Sequence, residues 1–445
     1  MGRPGARVRA RSGAFRRPAV RSPDEFRDPA TGRAVTEPIH LSNRTARRFI
    51  LAKQGLWPGR RGSALRGTRA AMIACEHVQL DPLVIVARSH DLMLHARVAD
   101  YRPELFHRLV YEKREFFDWG GWLAVRPMVE LPYWRVIMRR NRALPRMQAI
   151  LEHHAATIDA MRAVLHERGT VSGRDFAAAD TRAVVSYRGS KDTSLALYYL
   201  WRTGEAMTHH REGFERVYAL PAAVAPAELL VEADEAETER FLLRKQIAFA
   251  GIGRLGPLRP LLHRPIARAE EAAFAREMVE ANALAPVEVE GWPGRFFVLA
   301  SDVAALDMLD ADRVPRAWKP IGATTEEEVL LLSPLDPVIE RGRAKAVFGF
   351  EYVWEIYKRA DLVEYGRFTM PVVWEDRLVG RIDLKADRRA GVLVVNGIWL
   401  ERAADSSSKR FRDALRAGMR RLMRFLGLDR IDAAAVTDAR LRRAL

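Results

Sequence analysis

Residues Gln79, Leu80 and Asp81, followed at once by Pro82, put an amide and a carboxylate two positions apart. Proline drives the residue before it out of the helical region toward an extended conformation. In an extended segment alternate side chains share a face, so Gln79 and Asp81 point the same way with Cα atoms about 6.6 Å apart. Val78, Leu80 and Leu83 are left to anchor the segment in a core. One carboxylate and one amide on a shared face can hold and polarise a water, which is hydrolytic chemistry that needs no metal or cofactor. The other reading of Asp81 is a structural turn carboxylate before proline. The tetrapeptide alone leaves both open.

Other chemistries lack their signatures. The chain has no phosphate-cradling Gly-x4-Gly-Lys-[Ser/Thr] loop, no Gly-x-Gly-x-x-Gly after a strand, no His-Glu-x-x-His and no Gly-x-Ser-x-Gly. The single cysteine, Cys75, excludes an internal disulfide framework and any cysteine-based metal cluster. His153-His154 and His209-His210 are adjacent pairs whose rings diverge on a helix or strand, so no metal and no cofactor is expected.

Charge indicates the partner. The 73 Lys and Arg residues against 57 Asp and Glu give a net charge of +16. A field of that size speaks of association with polyanions rather than of fold. Arginine carries most of the excess, and its planar fork suits phosphate. No apolar run reaches the length of a membrane span and no secretory signal opens the chain, so a cytoplasmic, nucleoid-associated protein is expected.

The elements that must position Gln79 and Asp81 follow from periodicity. Residues 1–38 read as a disordered basic arm. Ser42 is a plausible N-cap for a helix carrying Ala46, Phe49, Ile50 and Leu51, and a second helix is expected from Gly67 to Cys75. A helical pattern from Met147 to Arg168 stops at Gly169. A short helix around Asp175 to Ala178, a helix from Thr193 to Arg202, and strands Ala206–His209 and Phe214–Leu220 follow. Helix, turn, helix and hairpin is the order of a winged helix. The order recurs with helices Glu235–Ala250 and Ala267–Ala281 and strands Val287–Glu290 and Phe296–Leu299. Beyond Val329 alternating strands dominate: Phe368–Trp374, Leu378–Asp383 and Val392–Leu400, then a helix after Ser406-Ser407-Ser408. The expected fold class is α+β, with three tandem winged-helix motifs and a β-rich C-terminal domain. The expected boundaries are 39–146, 147–230, 231–325 and 326–445.

The segment His77-Val78-Gln79-Leu80-Asp81-Pro82, with Arg88-Ser89-His90 and Arg97, resembles the AlkZ/YcaQ family of bacterial winged-helix DNA glycosylases, in its Gln-Φ-Asp (YcaQ-like) branch. Further blocks in the same order carry the likeness: Arg211 to Tyr218, Leu332-Ser333-Pro334-Leu335-Asp336-Pro337, Glu355-Ile356-Tyr357, Tyr365-Gly366 and Gly380-Arg381-Ile382-Asp383. The resemblance implies a monofunctional hydrolase that cuts the N-glycosidic bond of N7- or N3-alkylated purines in double-stranded DNA. It also implies unhooking of interstrand crosslinks, with Gln79 and Asp81 as the catalytic pair. A monomer is expected. Arg88, His90, Arg97, Arg341 and Arg381 are the candidates for DNA contact, on an arginine-lined concave face. Two departures bear on the pocket: Gly121 stands where the family has histidine, and Lys358-Arg359 where it often has Val-Pro. The alternative is a winged-helix DNA-binding regulator that kept the fold without the chemistry. A buried salt bridge on Asp81 would favour the regulator; an Asp81 facing a solvent-accessible basic cleft would favour the enzyme. A second rival is a glycosylase restricted to single alkylated bases, with Trp122 crowding the site against a bulky crosslink.

Overall fold

The computed structural model describes residues 37–445 apart from 121, 122, 177–191, 257 and 341. Gly121, Trp122, Arg341, the end of the short helix expected near Ala178 and nearly all of the N-terminal arm therefore lie outside the described residues. The architecture is mixed α+β. Three three-stranded sheets each join a hairpin to one further strand, Gly62–Ser63 pairs in parallel with Val98–Ala99, and a five-stranded sheet closes the chain.

The first small sheet sets Val78–Gln79 beside the hairpin Phe116–Trp119 and Ala124–Pro127. The second sets Thr170–Ser172 beside the hairpin Met207–Glu212 and Glu215–Ala219, and helices Pro145–Arg168 and Asp192–Arg202 pack together next to it. Gly169, at φ +76°, ends the first of those helices where a side chain would be strained. Where the start of the short helix expected near Asp175 is described, the chain forms a 3-10 turn, Gly173–Phe176, in which Asp175 accepts the Ser172 N–H at 2.7 Å.

The third small sheet departs from the reading by segments. The hairpin Leu284–Val289 and Phe296–Leu299 takes its third strand from the start of the described chain, where Ile39–Leu41 pairs in parallel with Val287–Val289. Helix Asn43–Lys53 follows, N-capped by Ser42 as its sequence predicts, with Ser42 Oγ accepting from Thr45 N at 3.1 Å. Its buried Phe49, Ile50 and Leu51 share a core with Val287, Val298, Leu330, Val338 and Phe350. The beginning of the chain is thereby bound to the middle.

The five-stranded sheet runs Leu330–Leu331, Thr369–Trp374, Arg377–Asp387, Val392–Leu400 and Arg430–Asp432, antiparallel but for its last pair. Helix Lys409–Leu426 covers one face through Phe411, Leu415, Met419 and Leu422. It lies so close that a Cβ on Gly418 would sit 2.6 Å from the Val329 carbonyl oxygen.

Candidate active site

Helix Ala64–Ala74 ends at Cys75, and Glu76 turns the chain with a positive φ of 62°. The chain then extends, because Val78–Gln79 pairs with Ala124–Val125 and Leu80 N donates to Leu123 O at 2.9 Å. Val78 and Leu80 enter a core with Met72, Leu94, Phe116 and Val125. Alternation does the rest: His77, Gln79 and Asp81 all line one cleft of about 900 Å³.

Asp81 is half-buried. Its Oδ1 accepts the Leu83 N–H at 2.9 Å, the turn that Asp before Pro favours. Among the described residues no cation lies in ion-pair contact with it. Burial raises its pKa above the ordinary aspartate value, against the lowering pull of the Leu83 N–H and the Arg88 charge. The Gln79 amide makes no hydrogen bond with any described side chain or backbone group. His77 stacks on Phe249 with centroids 4.7 Å apart and planes 14° off parallel. Burial, with Arg126 and Lys245 nearby, holds its pKa well below the usual histidine value, so it serves as a neutral aromatic wall.

The residues expected to contact DNA scatter. Arg88 is half-buried ahead of helix Ser89–Arg97, its guanidinium over the Phe214 ring at 5.3 Å. His90 is buried against Phe106, with centroids 4.8 Å apart, and burial beside Arg88 and Arg211 brings its pKa to about 3. It leaves little surface for a phosphate. Arg97 is also interior: both it and Asp336 have 0 % side-chain exposure, and the guanidinium grips both carboxylate oxygens at 2.6 and 2.9 Å. Arg381 lies between the rings of Phe350 (4.4 Å) and Tyr365 (4.3 Å) and pairs with Glu401 at 2.9 Å. These positions correct the expected concave face. Arg97 and Arg381 hold the frame of the cleft, and among the described residues no arginine lines it.

Its lining is instead acidic and aromatic. Glu340, Glu351, Tyr352, Trp354 and Tyr357 form one wall of it, with Lys345 ion-paired to Glu351 at 3.3 Å, and Asp336 lies beneath with its charge taken by Arg97. That wall is built from the later motif blocks. Asp336 caps the turn Pro337–Ile339, accepting from Val338 N at 3.1 Å. Gly366, at φ +126°, lets the Asp383 carboxylate approach to where a Cβ would clash at 2.4 Å. Asp383 accepts from Phe368 N at 3.1 Å and from Asn396 at 2.9 Å.

Sequence reading also missed a second cavity. It adjoins the first at His77 and Phe249, measures about 780 Å³, and carries Arg126, Arg202, Lys245 and Arg254 beside Trp119 and Trp134. Arg126 stacks over Trp134 at 4.2 Å, and burial lowers its pKa to about 10. The basic residues come from four separate elements, so no local spacing announces them.

The Streptomyces sahachiroi DNA glycosylase AlkZ is similar in fold, with a TM-score of 0.54 at 17% identity over 89% of this chain and 99% of that one. The family model "DNA glycosylase AlkZ-like" matches residues 74–425, from the helix before the Gln79–Asp81 segment to the helix on the C-terminal sheet. The chain therefore belongs to the AlkZ-like DNA glycosylase family.

Proposed function

We propose that this DNA glycosylase hydrolyses the N-glycosidic bond of N7- and N3-alkylated purines in duplex DNA, leaving an abasic site, and that it also unhooks interstrand crosslinks. The observation that carries the reading is Asp81, a carboxylate with no ion-pair partner among the described residues, facing an open cleft beside an uncommitted glutamine amide. An N7-alkylated purine is cationic and already a good leaving group, so the work lies at the sugar. Cleavage passes through an oxocarbenium-like transition state. Asp81 stabilises that developing charge and takes a proton from water, which the Gln79 amide positions. Partial burial strengthens the electrostatic part, because a half-desolvated carboxylate acts on charge across a lower local dielectric.

The regulator alternative turned on a buried salt bridge to Asp81, and the described residues provide none; the basic surroundings expected for the enzyme are not found, since Lys345, paired to Glu351, is the one Lys or Arg on the described lining. The size of the cleft supports crosslinks as substrates: about 900 Å³ is at the large end of the roughly 300–1,000 Å³ typical of small-molecule sites. A base tethered to the opposite strand cannot leave the duplex fully, so it needs such an open site rather than a closed pocket. The Gln-Φ-Asp form of the motif fits the branch with the broader substrate range.

We assign winged-helix units to the three three-stranded sheets with their helices, close to the boundaries 39–146, 147–230 and 231–325, followed by a β-rich domain over 326–445. The pairing of Ile39–Leu41 with Val287–Val289 moves the first strand and helix into the third unit. In this reading the enzyme acts in the cytoplasm, on the nucleoid, as a monomer.

The test is base release from duplexes bearing N7-methylguanine or a nitrogen-mustard crosslink. Asp81→Asn should lower single-turnover release by about 10²- to 10⁴-fold while DNA binding persists. Borohydride should trap no covalent adduct, since Lys345 is ion-paired at the cleft and the catalytic segment has no amine. Tight binding without release from either substrate would move the protein to the regulator class.

A further inference from the structure

The mouth of the cleft holds a tyrosine in water. Tyr357 is 84% exposed and Val353 57%, and both line the same cleft as Gln79 and Asp81. Exposed apolar side chains are ordinary when they sit singly on a mobile surface. These sit on a tied one. Beneath Tyr357, the Glu355 carboxylate is buried and accepts the N–H groups of Glu364 (3.1 Å), Tyr365 (2.8 Å) and Gly366 (3.2 Å) and the Lys358 ammonium at 2.6 Å. Burial alone would raise its pKa; Lys358 and the three amides pull it down to about 2. Arg367 donates to the Ile356 and Lys358 carbonyls at 3.2 and 3.3 Å, and the Trp354 indole donates to Arg367 O at 3.1 Å. Trp354 meets the Tyr357 ring edge-on, with centroids 6.0 Å apart. A segment with no α-helix or strand of its own is thus cross-tied through its backbone, and one aromatic ring stands above it in solvent. The backbone that carries the ring has little freedom left for a ligand to remove on binding.

The lining narrows the ligand. No arginine lines the cleft among its described residues; Arg97 cancels Asp336 and Lys345 pairs with Glu351, which leaves Asp81 and Glu340 as carboxylates without an ion-pair partner among the described residues, beside the rings of Tyr352, Trp354 and Tyr357. Such a surface repels phosphate and favours a planar cation. The face of a tyrosine ring is the negative end of its quadrupole and attracts positive charge. Resting on the glycosylase reading above, we infer that Tyr357 is a specificity-determining residue whose ring face stacks on the alkylated purine and selects it by its positive charge, with Trp354 fixing the ring and Val353 extending the apolar edge. An undamaged neutral purine gains the stacking but lacks the charge term. Lesion recognition then rests on the property that also makes the base a good leaving group.

Binding can be read apart from chemistry by using duplexes whose 2′-fluoro sugar resists cleavage, carrying either N7-methylguanine or guanine. The wild type should prefer the cationic base. Tyr357→Leu, which keeps apolar bulk and removes the π face, should lower that preference by about 2- to 30-fold, the range from an exposed to a desolvated cation–π contact. Tyr357→Phe should keep it. Thermal melting should be unchanged in both variants, because the side chain is exposed. An unchanged preference in Tyr357→Leu, or a wild type that does not distinguish the two bases, would overturn the assignment. If wild-type enzyme shows the preference yet releases no base from cleavable DNA, the glycosylase reading fails and the stacking assignment stands.

Discussion

The chain contains Leu-Asp-Pro twice, at Leu80-Asp81-Pro82 and Leu335-Asp336-Pro337, and both copies line the same cleft. Locally they are alike. Each aspartate accepts the N–H of the residue two positions on, Leu83 at 2.9 Å and Val338 at 3.1 Å. The tertiary partner separates them. Arg97 occupies both oxygens of Asp336 in a pair closed to solvent, whereas Asp81 keeps its second oxygen for the cleft. A buried, bidentate carboxylate is committed to holding two segments together. A half-desolvated, unpaired one is poised to act on charge that develops during a reaction. The same tripeptide makes a clamp in one place and a candidate catalyst in the other, and the difference is one arginine from another helix.

Removing that arginine is the largest expected disturbance. Arg97→Met leaves the Asp336 carboxylate buried and uncompensated, and should lower stability by about 3–5 kcal/mol in denaturant titrations. Asp81→Asn should do the opposite in the same assay: unfolding is unchanged or slightly harder, since burial already disfavours the charge it removes. If the two substitutions cost the same stability, the division between clamp and catalyst is lost. Gln79→Ala comes next. It removes only the amide that orients water, so release should fall by about 10- to 100-fold, less than for Asp81→Asn, at unchanged DNA affinity. A loss equal to that of Asp81→Asn would make the pair a single unit rather than a base and its positioner.

What the sequence made legible here followed local rules. Pro82 and the alternation of Val78 and Leu80 with Gln79 and Asp81 foretold the shared face, and Ser42, Gly169 and Ser408 marked helix ends by capping chemistry. Gln79, two positions before Asp81, singled out the first Leu-Asp-Pro; Pro334 stands at the matching place in the second. Partners distant in sequence were not legible. Arg97, Arg381 and His90 are as polar as any surface residue, and only the fold shows that Asp336, the Phe350–Tyr365 gap and Phe106 claim them. The parallel pairing of Ile39–Leu41 with Val287–Val289 was hidden likewise, because three residues carry too little pattern to name a partner.

The finest test of the Asp81 environment is its titration. Burial raises the pKa above the ordinary 3.8, so the acid limb of base release should lie at higher pH than an exposed aspartate would give. Activity needs the ionised form, so release is full above that pKa and falls as pH drops through it. Arg88 favours ionisation, so Arg88→Ala should move the limb to still higher pH, by less than about one unit, while the neutral plateau changes little. Arg88→Lys should restore it. Asp91 must be separated, since burial lifts its pKa to about 6 against the pull of the Tyr101 hydroxyl and Arg88. Asp91→Asn should leave the limb in place, because its carboxylate is held by Tyr101 at 2.7 Å and does not line the cleft. Arg88 acts on both carboxylates, so Asp91→Asn decides: if the limb disappears with it, the titrating group lies behind the wall, and Asp81 is the turn carboxylate that its proline always allowed.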